Sequence, residues 1–218
     1  MRRAGRVVAD VLLKLKDYAA VGVTTADLNR IAEDMTLKAG ATALFKGVKN
    51  PYGQKAFPAA ICASLNEQVV HGIPSEKVVL RDGDIISIDF GAKLNGYCGD
   101  AAVTLAIGKI SDAKRRLMDA TKRMLDIAIE NSRPGVKWSS IAGKMQKHAE
   151  SAGFSVVTDF VGHGIGAEMH EEPKVPNFVN DELLRHDILL QEGMMLAVEP
   201  MVNMGSSSVV TLKDGWTV

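Results

Sequence analysis

Cysteine is scarce in this sequence: Cys62 and Cys98 are the only two, and neither belongs to a Cys-x-x-Cys pair or lies at zinc-finger spacing. A disulfide framework or a thiolate zinc site is therefore not the expected scaffold, and reduced thiols are. Charge of one sign is lacking too. The 26 Lys and Arg residues balance the 26 Asp and Glu residues, so no global basic field recruits nucleic acid. No apolar run approaches the length needed to span a bilayer. The basic start Met1-Arg2-Arg3 imitates a signal peptide. Asp10 and Lys14 interrupt its apolar stretch, however, and no small-residue cleavage site follows. Val7, Val8, Val11, Leu12 and Leu15 instead share one helical face, which predicts a core-facing helix of a cytoplasmic protein.

What is present is ordinary globular composition, 46% apolar and 24% charged over 218 residues. That suffices to bury a core in one domain or in two small fused halves. The chain repeats itself once. Gly22-Val23 opens a polar-apolar helix that ends at Gly40, and Gly135-Val136 opens a second that ends at Gly153. Leu28 and Ile141 hold matching places in these helices, as do Ala39 and Ala152. Each helix is closed by a glycine suited to a left-handed cap. An amphipathic helix precedes each, Arg3 to Lys16 and Arg116 to Asn131. The strands repeat as well. Asp82-Gly83 leads through Ile85, Ile86 and Ile88 to Asp89, and Glu192-Gly193 leads through Met194, Met195, Leu196 and Val198 to Glu199. The expected architecture is α+β: two pseudo-repeats, about 1–110 and 111–218, in a single domain 1–218. A largely antiparallel sheet carries helices on one side.

The carboxylates hold the chemistry. Asp89 and Asp100 are expected at the ends of strand-like segments, with Gly96 and Gly99 in turns between them. A buried carboxylate there needs a salt bridge or a metal, and a lone Asp89 would read as a salt bridge or turn cap. The matching Glu199 shifts the balance, because convergent carboxylates repel and a cation relieves them. His163 lies in Gly162-His163-Gly164-Ile165-Gly166, and His170 precedes Glu171-Glu172-Pro173. His71 lies in Val70-His71-Gly72-Ile73-Pro74. The flanking glycines are read as leaving the His163 imidazole open to a ligand. His148 and His186 read as ordinary polar surface.

Four segments in order carry a resemblance: Asn66 to Pro74, the Asp89/Asp100 pair, the Gly-His-Gly-Ile-Gly loop with His-Glu-Glu-Pro, and Glu199-Pro200-Met201-Val202. Together they resemble the type I, bacterial-type methionine aminopeptidases of peptidase family M24, which have the curved, duplicated pita-bread fold. The resemblance covers essentially the whole chain. It implies metal-dependent removal of the initiator methionine from nascent polypeptides with a small second residue. It implies two divalent ions (Co, Mn, Fe or Zn) held by Asp89, Asp100, His163 and Glu199, with Asp100 bridging. Carboxylates with a single His suit Mn²⁺, Fe²⁺ or Co²⁺ better than a thiolate zinc site would. His71 and His170 would contact the scissile region, and Glu199 would also shuttle a proton. Phe57, Cys62, Met169 and Trp216 would wall the methionine pocket. Phe57 stands where Tyr is frequent and Met169 where Phe is frequent, and both keep the pocket apolar. A monomer is implied, with nascent N-termini and the ribosome as candidate partners and no membrane.

One departure matters. Members of the family continue past Trp216-Thr217-Val218 into a hairpin that carries a second bridging Glu. The repeat makes the same point, since Asp89 has Asp100 on the next strand while Glu199 has no acidic strand partner. Asp214 beside Gly215 reads as a turn residue. The second metal site is accordingly expected to be weakened. The alternatives are a catalytically impaired peptide-binding protein on this fold and a proline-specific, prolidase-like relative.

Overall fold

The computed structural model describes residues 1–50 and 55–218. They divide into two compact units. The first comprises Met1–Ser111, Gly166–Met169 and Val210–Val218, and the second comprises Asp112–Ile165 and His170–Val209.

In the first unit α1 (Arg2–Tyr18) buries Val8, Val11, Leu12 and Leu15, the stripe expected from their spacing. α2 (Thr25–Lys38) starts at a capping box, with the Thr24 hydroxyl accepting from Asp27 N–H and the Asp27 carboxylate accepting from Thr24 N–H. It ends at Ala39 and the left-handed Gly40. The strands are β1 (Thr42–Ala43), β2 (Ile61–Leu65), β3 (Ile85–Leu94) and β4 (Tyr97–Ala106). All pairings are antiparallel. β3 pairs with β4 along its whole length and with β2 and β1 on its other edge. The β3–β4 turn is Asn95-Gly96, both with positive φ (51° and 81°), the conformation that Asn-Gly hairpins favour. α1 lies close on this hairpin. A Cβ on Gly99 would sit 2.7 Å from the Gly5 nitrogen, so only glycine permits that approach. Ile86, Ile88 and Phe90 of β3 complete the core with Leu28 and Leu80.

The second unit has α3 (Asp112–Asn131), α4 (Trp138–Ser151), β5 (Ser155–Val156), β6 (Gly162–Gly164), β7 (Glu171–Val175), α5 (Asp181–Arg185), β8 (Leu196–Ala197) and β9 (Val202–Asn203). β6 pairs antiparallel with β7 and β8, and β5 with β9. Its core gathers Met124, Trp138, Ile141, Met145 and Val175, with Val198 packed against it.

The repeat is visible in hydrogen bonds within each unit. Gly22 N–H donates to Leu80 O (2.9 Å), and Gly135 N–H donates to Leu190 O (2.8 Å). Isolated bridges join Thr24 to Val79 and Lys137 to Leu189, each just ahead of its helix. Two expectations need correction. Asp89 and Asp100 do not end strands. β3 continues through Phe90, Gly91 and Ala92 because it is paired on both edges, and Asp100 lies inside β4. Conversely, the strand expected from Met194 to Glu199 shrinks to Leu196–Ala197, the two residues that β6 pairs, and leaves Glu199 beyond it. No helix among the described residues is long and apolar enough to cross a membrane.

Candidate active site

In the first unit the two aspartates share one face of a hairpin. Asp89 stands opposite Ala102, and Asp100 lies two residues from Ala102 on the same strand, opposite Gly91. Alternation along a strand then puts both carboxylates on one side. On the other edge of β3, Cys62 is the register partner of Asp89. Burial, followed by the negative charges of Asp89 and Asp100, pushes the Cys62 thiol well above its ordinary pKa, against a hydrogen bond from the His71 backbone. Cys62 is thus held protonated and is not a nucleophile.

Phe57 and Cys62 belong to one apolar cluster with Phe45 and Ala59, and Met169, Trp216 and Ile73 pack against it. Trp216 meets Phe57 edge-on at 5.3 Å between ring centres and His71 at 6.4 Å. Its indole N–H donates to Lys55 O (2.9 Å). His71 has a positive φ of 59°, rare for a residue with a side chain. The cause is its neighbour. A Cβ on Gly72 would lie 2.4 Å from Ala63 O, so this segment runs flush against β2. The hydrogen bonds Ala63 N–H to Gly72 O (2.8 Å) and Gly72 N–H to Ser64 Oγ (3.0 Å) hold it there. Asp214 is a turn residue, as expected. Burial alone would raise its carboxyl, but donation from Trp216 N–H and from the Thr217 hydroxyl and N–H holds it below the usual value.

In the second unit His163 is buried on β6, opposite Ala197 of β8. Its Nδ1 lies 2.8 Å from Gly164 O and its Nε2 lies 3.1 Å from Glu199 Oε1. A neutral ring that donates from Nδ1 to a carbonyl presents an Nε2 lone pair, the tautomer a metal ligand needs. Two acceptors at that distance are stabilised by a shared cation. The flanking glycines serve a different end from the one expected. Cβ atoms on Gly162 and Gly164 would lie 2.1 Å from Ala197 O and 2.3 Å from Glu172 O, so the glycines admit the neighbouring strands. His170 faces His163, 4.4 Å between ring centres and 75° between planes. Loss of hydration, then the neighbouring His163, lower its pKa against the opposing pull of Glu199, so the ring stays neutral. His148 lies on α4, and His186 caps α5.

Sequence reasoning missed Asn177. It is fully buried just after β7, and its side-chain amide donates to the backbone carbonyl of Glu199 (2.7 Å). The only signal was a buried Asn in the run Val175-Pro176-Asn177-Phe178, which periodicity does not single out.

The model of metallopeptidase family M24 matches residues 1–218. The chain belongs to that family, among its methionine aminopeptidases. This M24 chain is 49% identical over its full length to a methionine aminopeptidase of Clostridium acetobutylicum, of which it spans 84%. It is 45% identical to methionine aminopeptidase 1 of Bacillus subtilis, again spanning 84%. Among solved structures, methionine aminopeptidase from Thermotoga maritima superposes with a TM-score of 0.91 at 38% identity, covering 100% of this chain and 84% of that one. Prolidase from Pyrococcus horikoshii, at 20% identity and a TM-score of 0.73, shares the pita-bread fold, with 52% of its chain covered.

Proposed function

We propose that this M24 chain is a metal-dependent aminopeptidase that removes the initiator methionine from nascent polypeptides whose second residue is small. The observation that carries the reading is the His163–Glu199 pair, with the His163 tautomer fixed by Gly164 O, in a chain that methionine aminopeptidases match end to end. The residues suit divalent ions: an imidazole whose Nε2 faces Glu199 at 3.1 Å, and two aspartates on one hairpin face. Asp89, Asp100, His163 and Glu199 are the residues that would hold such ions in this reading. Such oxygen-rich ligands suit Mn²⁺, Fe²⁺ or Co²⁺ better than a thiolate zinc site would. When bound, the ions acidify water and polarise the scissile carbonyl.

The chain's own residues do the rest. Phe57, Cys62, Met169 and Trp216 form an apolar wall on which an unbranched thioether side chain packs. Cys62 remains protonated and inert. His170, kept neutral, retains an N–H to donate to charge developing on the carbonyl oxygen. His71 lies against Trp216, where a donor meets the scissile peptide. Glu199 accepts a proton and returns it to the leaving amine. The substrates are nascent chains leaving the ribosome in the cytoplasm, cut by a monomer. A proline-specific activity gains no support beyond the shared fold.

The deciding assay compares Met-Ala-Ser and Met-Leu-Ser peptides with Mn²⁺ present. Cleavage of the first and not the second is expected. Equal cleavage of both rejects the reading.

A further inference from the structure

Asp89 and Glu199 follow equivalent turns in the two repeats, yet their backbones are held differently. Asp89 sits inside a ladder, paired with Cys62 on one edge and Ala102 on the other. Glu199 lies two residues beyond Ala197, the last residue of β8, where no strand among the described residues pairs it. Its peptide needs another anchor, and Asn177 supplies one through the 2.7 Å hydrogen bond to the Glu199 carbonyl.

Asn177 is itself immobilised. It is 0% exposed and lies between Val175, paired with Gly162 of β6, and Phe178, both in the core of the second unit. The preceding carbonyl, Pro176 O, accepts from the indole N–H of the fully buried Trp138 (2.7 Å). Val198, next to Glu199, packs on the same core. The donor is therefore rigid and its acceptor belongs to a residue whose carboxylate lies 3.1 Å from the His163 ring.

The arrangement also carries a cost. The other end of the amide, Asn177 Oδ1, is buried with no hydrogen-bond partner among the described residues. A buried oxygen without a partner is destabilising, and an apolar residue of the same size would avoid that. An expensive polar group kept in a core marks a site where the donor matters for function more than for folding.

From this placement we propose that Asn177 is a positioning residue: its amide fixes the Glu199 peptide so that the carboxylate is aimed with His163 at one metal ion. The proposal rests on the reading of Glu199 and His163 as ligands. It adds that the aim of Glu199 is set from the segment just after β7, by a side chain that touches neither metal nor substrate.

The experiment uses the full chain and Mn²⁺ as the probe. Asn177→Leu removes the donor at nearly constant volume without burying a charge. Mn²⁺ affinity is measured by calorimetry, kcat and KM on a Met-Ala-Ser peptide, and melting in the metal-free form. Affinity is expected to weaken roughly 10- to 100-fold, the usual effect of losing a group that orients a ligand. A matching fall in kcat is expected with little change in KM, while metal-free melting stays near that of the wild type. Asn177→Gln, which keeps an amide donor, should recover part of the affinity. If the Leu variant does not fold, Asn177→Ser, too short to reach the carbonyl, is read in the same way. Wild-type Mn²⁺ affinity in a folded Leu or Ser variant overturns the proposal, as does a lowered melting temperature with unchanged affinity, which makes Asn177 merely structural. A wild-type chain with no Mn²⁺ affinity overturns the ligand reading and this proposal together.

Discussion

At His163 the hydrogen bond from Nδ1 to Gly164 O sets which nitrogen faces Glu199. Two glycines set where the ring stands, because they bring the carbonyls of Ala197 and Glu172 too close for any Cβ. Gly162→Ala should therefore push β6 away from β8. Overpacking of this kind costs about 1–3 kcal/mol, and it separates His163 from Glu199 as well. Urea denaturation should show a lower midpoint at unchanged slope, and peptide cleavage should fall further than stability does. A variant with wild-type stability and activity would mean that the strands adjust freely. A second residue-scale expectation concerns the thiols. Cys62 and Cys98 are both buried, and burial, then the charges of Asp89 and Asp100, pushes the Cys62 thiol well up. Ellman's reagent at pH 8 should find no fast-reacting thiol in the native chain and two after denaturation. The candidate residues could be picked out because Asp, His and Glu in Gly- and Pro-rich settings stand out from a core. Asn177 was not, since its role depends on a carbonyl far along the chain that the sequence does not mark.

At the scale of elements, helices were easier to read than strands. α1 and α2 carry apolar stripes and a capping box, local signals that need no partner. The extents of β3 and β8 depend on which neighbours pair them, so Asp89 was misplaced at a strand end and the strand before Glu199 was overextended. The two repeats also start their second helices by different means. α2 is capped locally by Thr24, whereas Lys137 offers no side-chain cap to α4. Asp187 caps α4 from a distance instead, accepting from Ser139 N–H (3.0 Å) and from the Ser139 hydroxyl (2.6 Å). Asp187→Ala should cost about 1 kcal/mol, the usual loss for a helix cap, measured by chemical denaturation at pH 7. The same contact gives a pH dependence. Burial alone would raise the Asp187 carboxyl, but the Ser139 and Ile188 hydrogen bonds and the charge of Lys137 leave it below the ordinary value of 3.8. The unfolded chain then takes up the proton first. Stability from this group is complete above that value and disappears as pH falls through the lower folded pKa. Asp187→Asn should flatten the stability profile in that acid range and nowhere else.

For the whole molecule, the two units each hold their own core, and a ligand that binds only the folded chain stabilises the folded state. It shifts the folding equilibrium by mass action alone. At a free Mn²⁺ concentration of about 100 times Kd, the gain is roughly 2.7 kcal/mol. For chains of this size each kcal/mol moves the melting temperature by about 2–4 °C, so a rise on the order of 5–10 °C is expected by calorimetry. EDTA should reverse it. His163→Ala and Glu199→Gln should each remove most of the rise, because they take away two proposed ligands that face each other at 3.1 Å. Asp89→Asn should retain most of it and instead lower the number of ions bound at high Mn²⁺, since Asp89 serves the other ion of the proposed pair. The two kinds of variant therefore separate the tight ion from the weak one in a single titration series. A melting rise that survives Glu199→Gln would put the tight ion elsewhere in the chain, and the His163–Glu199 pair would then be an ordinary side-chain contact.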